Sequence, residues 1–162
     1  MGFDRHFWRD QAGSPAVEMV LVLPLLLVLI FTCLEGAHYL YVEHQVVKGV
    51  RDGARFAARQ GFSNYTCTTI NSTVVTNTKE ITRTGEISGG TSRVQGWTDS
   101  DIMVIVTCPS TAVTTGIYSD MTNAPRVTVS ATVTYPSLFG VLSGLTSSFK
   151  LNAADQAAVM GV

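Results

Sequence analysis

Gly13 and Glu18 stand at the border between a charged N-terminal segment and an apolar run. The stretch reads Gly-Ser-Pro-Ala-Val-Glu-Met and continues apolar to Leu34, interrupted by Pro24. The chemistry this spacing offers is done to the chain, not by it. Hydrolysis after Gly13 would leave the amine of Ser14 as a new terminus and Glu18 as the fifth residue of the shortened chain. A carboxylate costs about 2.5–3.5 kcal/mol at the centre of an apolar span. Glu18, one turn from the start, costs less, but its charge still calls for a cation within the apolar bundle.

The elements that must position this site begin with the run itself. Pro15 to Leu34 supplies about 20 residues, the length that crosses a bilayer core as a helix. Arg5, His6 and Arg9 precede it, whereas the next basic residues beyond it are Lys48 and Arg51. Basic residues favour the cytoplasmic side, so the N-terminus is expected inside and the rest outside. Pro15 suits a first helical position, with Ser14 as cap. Pro24 removes a backbone bond inside the span and is expected to kink it. A secretory signal would be shorter and end in a small-residue cleavage site, which Thr32 to Ala37 does not offer. A lipoprotein box would need a small residue where Thr32 precedes Cys33. An uncleaved signal anchor is the competing reading, in which Gly13 and Glu18 fall together by chance.

The chain has 162 residues, which suits one anchor and one small domain. Its net charge of −1 gives no general basic footprint for nucleic acid. His6, His38 and His44 are the only histidines, and no zinc spacing, phosphate loop or nucleophile motif accompanies them. The sequence therefore shows no catalytic constellation, no metal site and no cofactor site. Asp99, Asp101, Asp120 and Asp155 lack the spacing of a calcium loop and read as solvated surface. Of the three cysteines, Cys33 falls at the end of the apolar run and reads as a packing residue. Cys67 and Cys108 would meet an oxidising compartment and are expected to pair, the alternative being two buried thiols.

Beyond the span no proline occurs before Arg59, and Val46, Val50, Ala54, Ala57 and Ala58 recur at helical spacing. The helix is therefore expected to run on as an amphipathic extension over 36–62. Gly49, Gly53, Ala57 and Gly61 fall four apart, and Ala54 adjoins them. Small residues at that interval allow another backbone to approach, so this face is assigned to packing on the sheet or on another subunit. Arg51, Arg55 and Arg59 form a second stripe, read as a solvated face. Lys48 and Asp52 make an i,i+4 pair worth a few tenths of a kcal/mol.

Residues 66–88 read as a weaker, Thr-rich helix, and Gly85 to Gly96 as a loop. Ile102 to Cys108 reads as a short strand. Arg126 to Tyr135 alternates, with Val127, Val129, Ala131, Val133 and Tyr135 on one side, as in a half-buried antiparallel strand. An apolar loop follows, with Leu138, Phe139, Val141, Leu142 and Leu145 expected to plug the core. The last strand, 146–159, is expected to place Phe149, Leu151 and Ala153 together. Asn64-Tyr65-Thr66 and Asn71-Ser72-Thr73 match the glycosylation acceptor pattern, which carries little weight in a bacterial chain. The fold class expected is α+β: a long N-terminal transmembrane helix, extended into an amphipathic one, on a small antiparallel sheet. The expected divisions are 1–13, 14–35, 36–62 and 63–162.

The Gly13 to Glu18 spacing is similar to a prepilin peptidase site. Ser14-Pro15-Ala16-Val17-Glu18-Met19, Leu23-Pro24-Leu25-Leu26 and Leu34-Glu35-Gly36 together resemble the TadE-like minor pilins, or pseudopilins, of the tight-adherence pilus. Val50 to Ala58, Val-Arg-Asp-Gly-Ala-Arg-Phe-Ala-Ala, resembles that family's Arg/Ala segment. The resemblance covers residues 10–60. It departs from the shorter major pilins, which usually carry Tyr after the glutamate where Met19 stands. It implies residues 1–13 as a cytoplasmic leader and a single-pass bacterial inner-membrane protein with a periplasmic C-terminal domain. It also implies a part in initiating, priming or capping a fibre used in attachment and biofilm formation. The implied partners are a prepilin peptidase, TadF-like minor pilins, the major Flp-type pilin, the inner-membrane assembly platform and the membrane. The alternative from a different class is an unprocessed, signal-anchored extracytoplasmic binding or sensor domain.

Overall fold

The computed structural model describes residues 14–109, 116–119, 121, 123–140 and 149–161. The leader with Gly13, Asp120, the loop residues Val141, Leu142 and Leu145, and the start of the expected last strand lie outside these. The elements in chain order are α1 (Ser14–Ala58), α2 (Ser72–Thr84), β1 (Ile102–Thr107), β2 (Arg126–Thr134) and β3 (Lys150–Ala158). The arrangement is α+β, with a long N-terminal apolar helix and a three-stranded antiparallel sheet in the order β1-β2-β3. The chain divides between Ala37 and His38 into two units. The first is the apolar part of α1. The second comprises the rest of α1, α2 and the sheet.

The core of the second unit follows from two periodicities. On α1, Val42, Val46, Val50, Ala54 and Ala57 recur every three or four residues and are buried. On β2, Val127, Val129, Ala131 and Val133 recur every second residue and are buried likewise. These two rows share one cluster with Ile102, Leu151, Val159, Val94 and Trp97. An apolar helical stripe against the apolar face of a pleated strand removes both from water, which is the main stabilising term here. The register runs Ile102 to Ala131 to Ala153 across the three strands. On the opposite face β2 and β3 are largely polar, with Thr132 donating to Asn152 Oδ1 at 2.8 Å and Gln156 Nε2 to Thr128 at 3.1 Å, whereas β1 exposes Met103 and Ile105 there.

Helix α2 is shorter than its Thr-rich sequence suggested. Asn71 caps it, accepting from the Thr73 N–H at 2.9 Å, which satisfies one orphan donor of the first turn. The Asn-Ser-Thr triplet thus serves as a helix start. Upstream, the Thr66 hydroxyl accepts from the Thr69 N–H at 2.9 Å and folds 66–69 into a turn. Gly85, at φ 91°, ends α2 in the left-handed conformation that glycine adopts without cost. Phe149 precedes β3 and is exposed, so it does not join Leu151. Only Leu151 of that trio is fully buried. Leu138, expected in the core, is exposed.

The end of α1 is tied down by chain from the opposite end of the sequence. The Met160 N–H donates to the Ala58 carbonyl at 2.7 Å, and the Tyr65 hydroxyl donates to the Ala57 carbonyl at 2.5 Å. Burial pushes the Tyr65 phenol from 10.0 up to about 12. A folded-state pKa above the unfolded one means the fold favours the neutral phenol. That stabilisation is complete below pH 10 and is lost as pH rises towards 12. We expect urea midpoints to fall across this window in the parent chain and to fall less in Tyr65→Phe. Parallel curves for the two proteins would contradict this assignment.

Candidate membrane anchor and helix-packing face

The first unit is apolar around its whole circumference. Val20, Leu21, Val22 and Leu23 follow one another at about 100° per residue and so point to different sides of the helix, and all are exposed. A helix with apolar residues on every side and none of them buried has the composition of a membrane span. Pro15–Ala58 contains the one candidate membrane span among the described residues. Glu18 lies on the exposed surface of this segment, one turn in. Pro24 lies inside the helix, which runs on through it. Thr32 returns its hydroxyl to the Val28 carbonyl at 2.8 Å, so its polar group is satisfied within the helix. Cys33 is a free, exposed thiol on the same segment.

In the second unit, the small-residue row of α1 meets several different surroundings. Gly49 faces α2 and the indole of Trp97: a Cβ there would run into the Thr82 carbonyl and come within 2.8 Å of the ring. At Gly53 a Cβ would run into the Thr82 hydroxyl and stand 3.3 Å from the Thr78 carbonyl. Thr78 and Thr82 are fully buried on the facing side of α2. These two glycines therefore admit a neighbouring helix of the same chain, not the sheet. Ala54 and Ala57 belong to the core cluster with the sheet. At Gly61, beyond the helix, a Cβ would find its nearest neighbours at 3.8 Å, an ordinary contact.

The charged groups sort differently from their spacing. Asp52 pairs with Arg93 at 2.7 Å, across 41 residues, and not with Lys48. This pair ties the Gly85–Gly96 loop back to α1. Arg83 holds Glu80 at 2.5 Å and Asp99 at 2.8 Å, and Lys79 donates to the Asp99 carbonyl at 3.0 Å. Asp101 accepts from the Thr98 N–H at 2.8 Å. Asp99, exposed as its sequence setting suggests, thus also joins α2 to the turn before β1, and Asp101 caps that turn locally. Lys48, Arg51, Arg55 and Arg59 remain exposed on α1.

Cys67 and Cys108 form a disulfide with their Cα atoms 5.3 Å apart. It fastens the turn before α2 to the residue that follows β1. No group of three or more His, Cys, Asp or Glu among the described residues could hold a metal ion.

Residues 13–55 match the family model described as TadE-like protein. No curated protein and no solved structure gives a match to the chain. The matched segment begins at Gly13, takes in the whole apolar run and Glu18, and ends within the α1 face that packs on α2 and the sheet. Over residues 13–55, about a quarter of its length, the chain is similar to the TadE-like family, which is associated with Tad pilus systems.

Proposed function

We propose that this protein is a membrane-anchored minor pilin or pseudopilin. A prepilin peptidase cuts it after Gly13, and it then helps to initiate, prime or cap a Tad-type pilus used in adherence. The observation that carries this reading is the coincidence of the TadE-like match with an unburied apolar helix that has a single carboxylate one turn from its start. On this reading residues 1–13 are a cytoplasmic leader, 14–35 cross the inner membrane, and 36–62 continue the helix into the periplasm. Residues 63–162 complete the periplasmic domain. The partners are the peptidase, other minor pilins, the major pilin and the inner-membrane assembly platform.

The chemistry of Glu18 supports the reading. Hydrolysis after Gly13 creates an ammonium at Ser14 four residues away from Glu18. Within one helix the two lie about 6 Å apart along the axis. Between staggered neighbouring helices the same ammonium can be brought level with the carboxylate. An ion pair in an apolar bundle persists only when both partners are present. Glu18 would thus set the axial register of this subunit against its neighbour.

Glu18→Gln keeps the size and the hydrogen-bonding capacity but removes the charge. We expect the variant to insert in the membrane at the parent level while its co-purification with partner pilins falls roughly tenfold or more, the loss of one buried pair. Co-purification at the parent level would remove the register role.

A further inference from the structure

Tyr135 marks one end of the second unit. It is 5% exposed, its hydroxyl lies 3.0 Å from His38 Nδ1, and its ring packs edge-on against Tyr39 with centroids 5.3 Å apart. Its N–H donates to the Phe149 carbonyl at 2.8 Å. Three stretches distant in sequence therefore meet here: the start of this unit's helical segment, the end of β2 and the approach to β3. Each brings large apolar side chains to the surface. Tyr41 is 60% exposed, Leu138 57% and Phe149 52%. Lys150 stands exposed next to Phe149. Grouped exposure of this kind marks a surface that something covers.

The chain itself restricts what that can be. His38 follows Leu34, the last residue of the apolar run, by four residues. A chain reaches at most about 3.6 Å per residue, so His38 stays within about 14 Å of the end of the run at any angle between the two units. The polar layer on each side of a bilayer is roughly 5–8 Å thick. Tyrosine is favoured at that level, with its ring among apolar groups and its hydroxyl in water. A cation beside an apolar side chain suits anionic headgroups as well. The exposed Met103 and Ile105 on β1 have no such tether and carry no comparable argument.

We propose that the Tyr135 end of the second unit is a lipid-docking surface. Leu138 and Phe149 enter the boundary between headgroups and acyl chains, Tyr41 lies at the headgroup level, and Lys150 faces lipid phosphate. The domain then rests on the membrane before assembly, and leaving it is part of joining a fibre. The proposal rests on reading Pro15–Leu34 as a membrane span, and its test separates the two.

The test uses the full chain with Cys33→Ser and the Cys67–Cys108 disulfide intact, in vesicles of phosphatidylethanolamine and phosphatidylglycerol. A nitroxide is attached through Leu26→Cys, Leu138→Cys, Phe149→Cys or Ala158→Cys, one at a time. Power saturation then compares collisions with oxygen, which enters lipid, and with a nickel chelate, which does not. The expected result is a deep label at 26, interfacial labels at 138 and 149, and an aqueous label at 158. A deep label at 26 with labels at 138 and 149 as open to nickel as that at 158 overturns the docking surface and leaves the span standing. Labels at 138 and 149 shielded from both reagents overturn it too, because protein then covers the patch. An aqueous label at 26 removes the span, and the docking surface with it.

Discussion

Gly49→Val is expected to lower the stability of the folded chain by about 3 kcal/mol, and Gly53→Val by about 2–3 kcal/mol. Gly61→Ala, in the same row of small residues, is expected to change it by less than about 0.5 kcal/mol. A Cβ at Gly49 meets the backbone carbonyl of Thr82, which cannot swing aside, and the indole of Trp97, which is itself 3% exposed. At Gly53 it meets the Thr82 hydroxyl, which already donates to the Thr78 carbonyl at 2.7 Å. Any gain in helix propensity over glycine, at most about 1 kcal/mol, is smaller than the cost of forcing α1 and α2 apart. Gly61 has room for a methyl group and a φ of −59° that any residue adopts. Urea unfolding of the full chain in detergent, followed by circular dichroism, checks the order Gly49, Gly53, Gly61. Equal effects at all three would mean that the row acts as a unit against another subunit, and that the α1–α2 contact does not set its cost.

Removing the disulfide is expected to cost more. Cys67 and Cys108 are separated by 41 residues. Closing a loop of that size restricts the unfolded chain enough to stabilise the fold by about 4 kcal/mol. The closed loop contains α2, its ion pair with Asp99 and the whole of β1. Cys108→Ser should therefore lower the urea midpoint strongly and steepen the slope, because the unfolded chain becomes less compact, and adding reductant to the parent chain should reproduce both. A midpoint that moves by less than the equivalent of about 1 kcal/mol would contradict this role.

Much of this architecture could be read before any coordinates were seen, where a single physical pattern dominates. The apolar run marks the candidate span, because its length and composition are those of a membrane-crossing helix. The alternation from Val127 to Tyr135 gives β2, its buried face and nearly its ends, because a pleat allows one assignment of faces. The failures have causes of the same kind. Four residues advance a helix by about 400°, so a four-residue row drifts by about 40° per step. That drift carries the row from α2 at Gly49 and Gly53 to the core at Ala57. A line of small residues thus looks like one surface in sequence and is two in space. Asp52 was given Lys48 because only local partners can be seen in a sequence; Arg93 arrives by tertiary folding. Phe149 was placed with Leu151 by parity, but the pairing ends at Thr134 and Lys150, and parity does not bind a residue outside the ladder. The end of α2 at Gly85 was visible as a glycine, and its start at Asn71 was hidden among β-branched residues that resemble neither helix nor loop.

The candidate site divides in the same way. Glu18 stands out in the sequence because its charge conflicts with an apolar surrounding, and Gly13 because it stands at the border of that run. The Tyr135 end of the domain was not, since it is made by residues about a hundred positions apart.

The most direct test of the central claim is the intact mass of the protein extracted from membranes of cells with an active prepilin peptidase. The account predicts a chain that starts at Ser14 and lacks the thirteen residues before it. A chain that keeps Met1 to Gly13 while incorporated in an assembled pilus complex would contradict it.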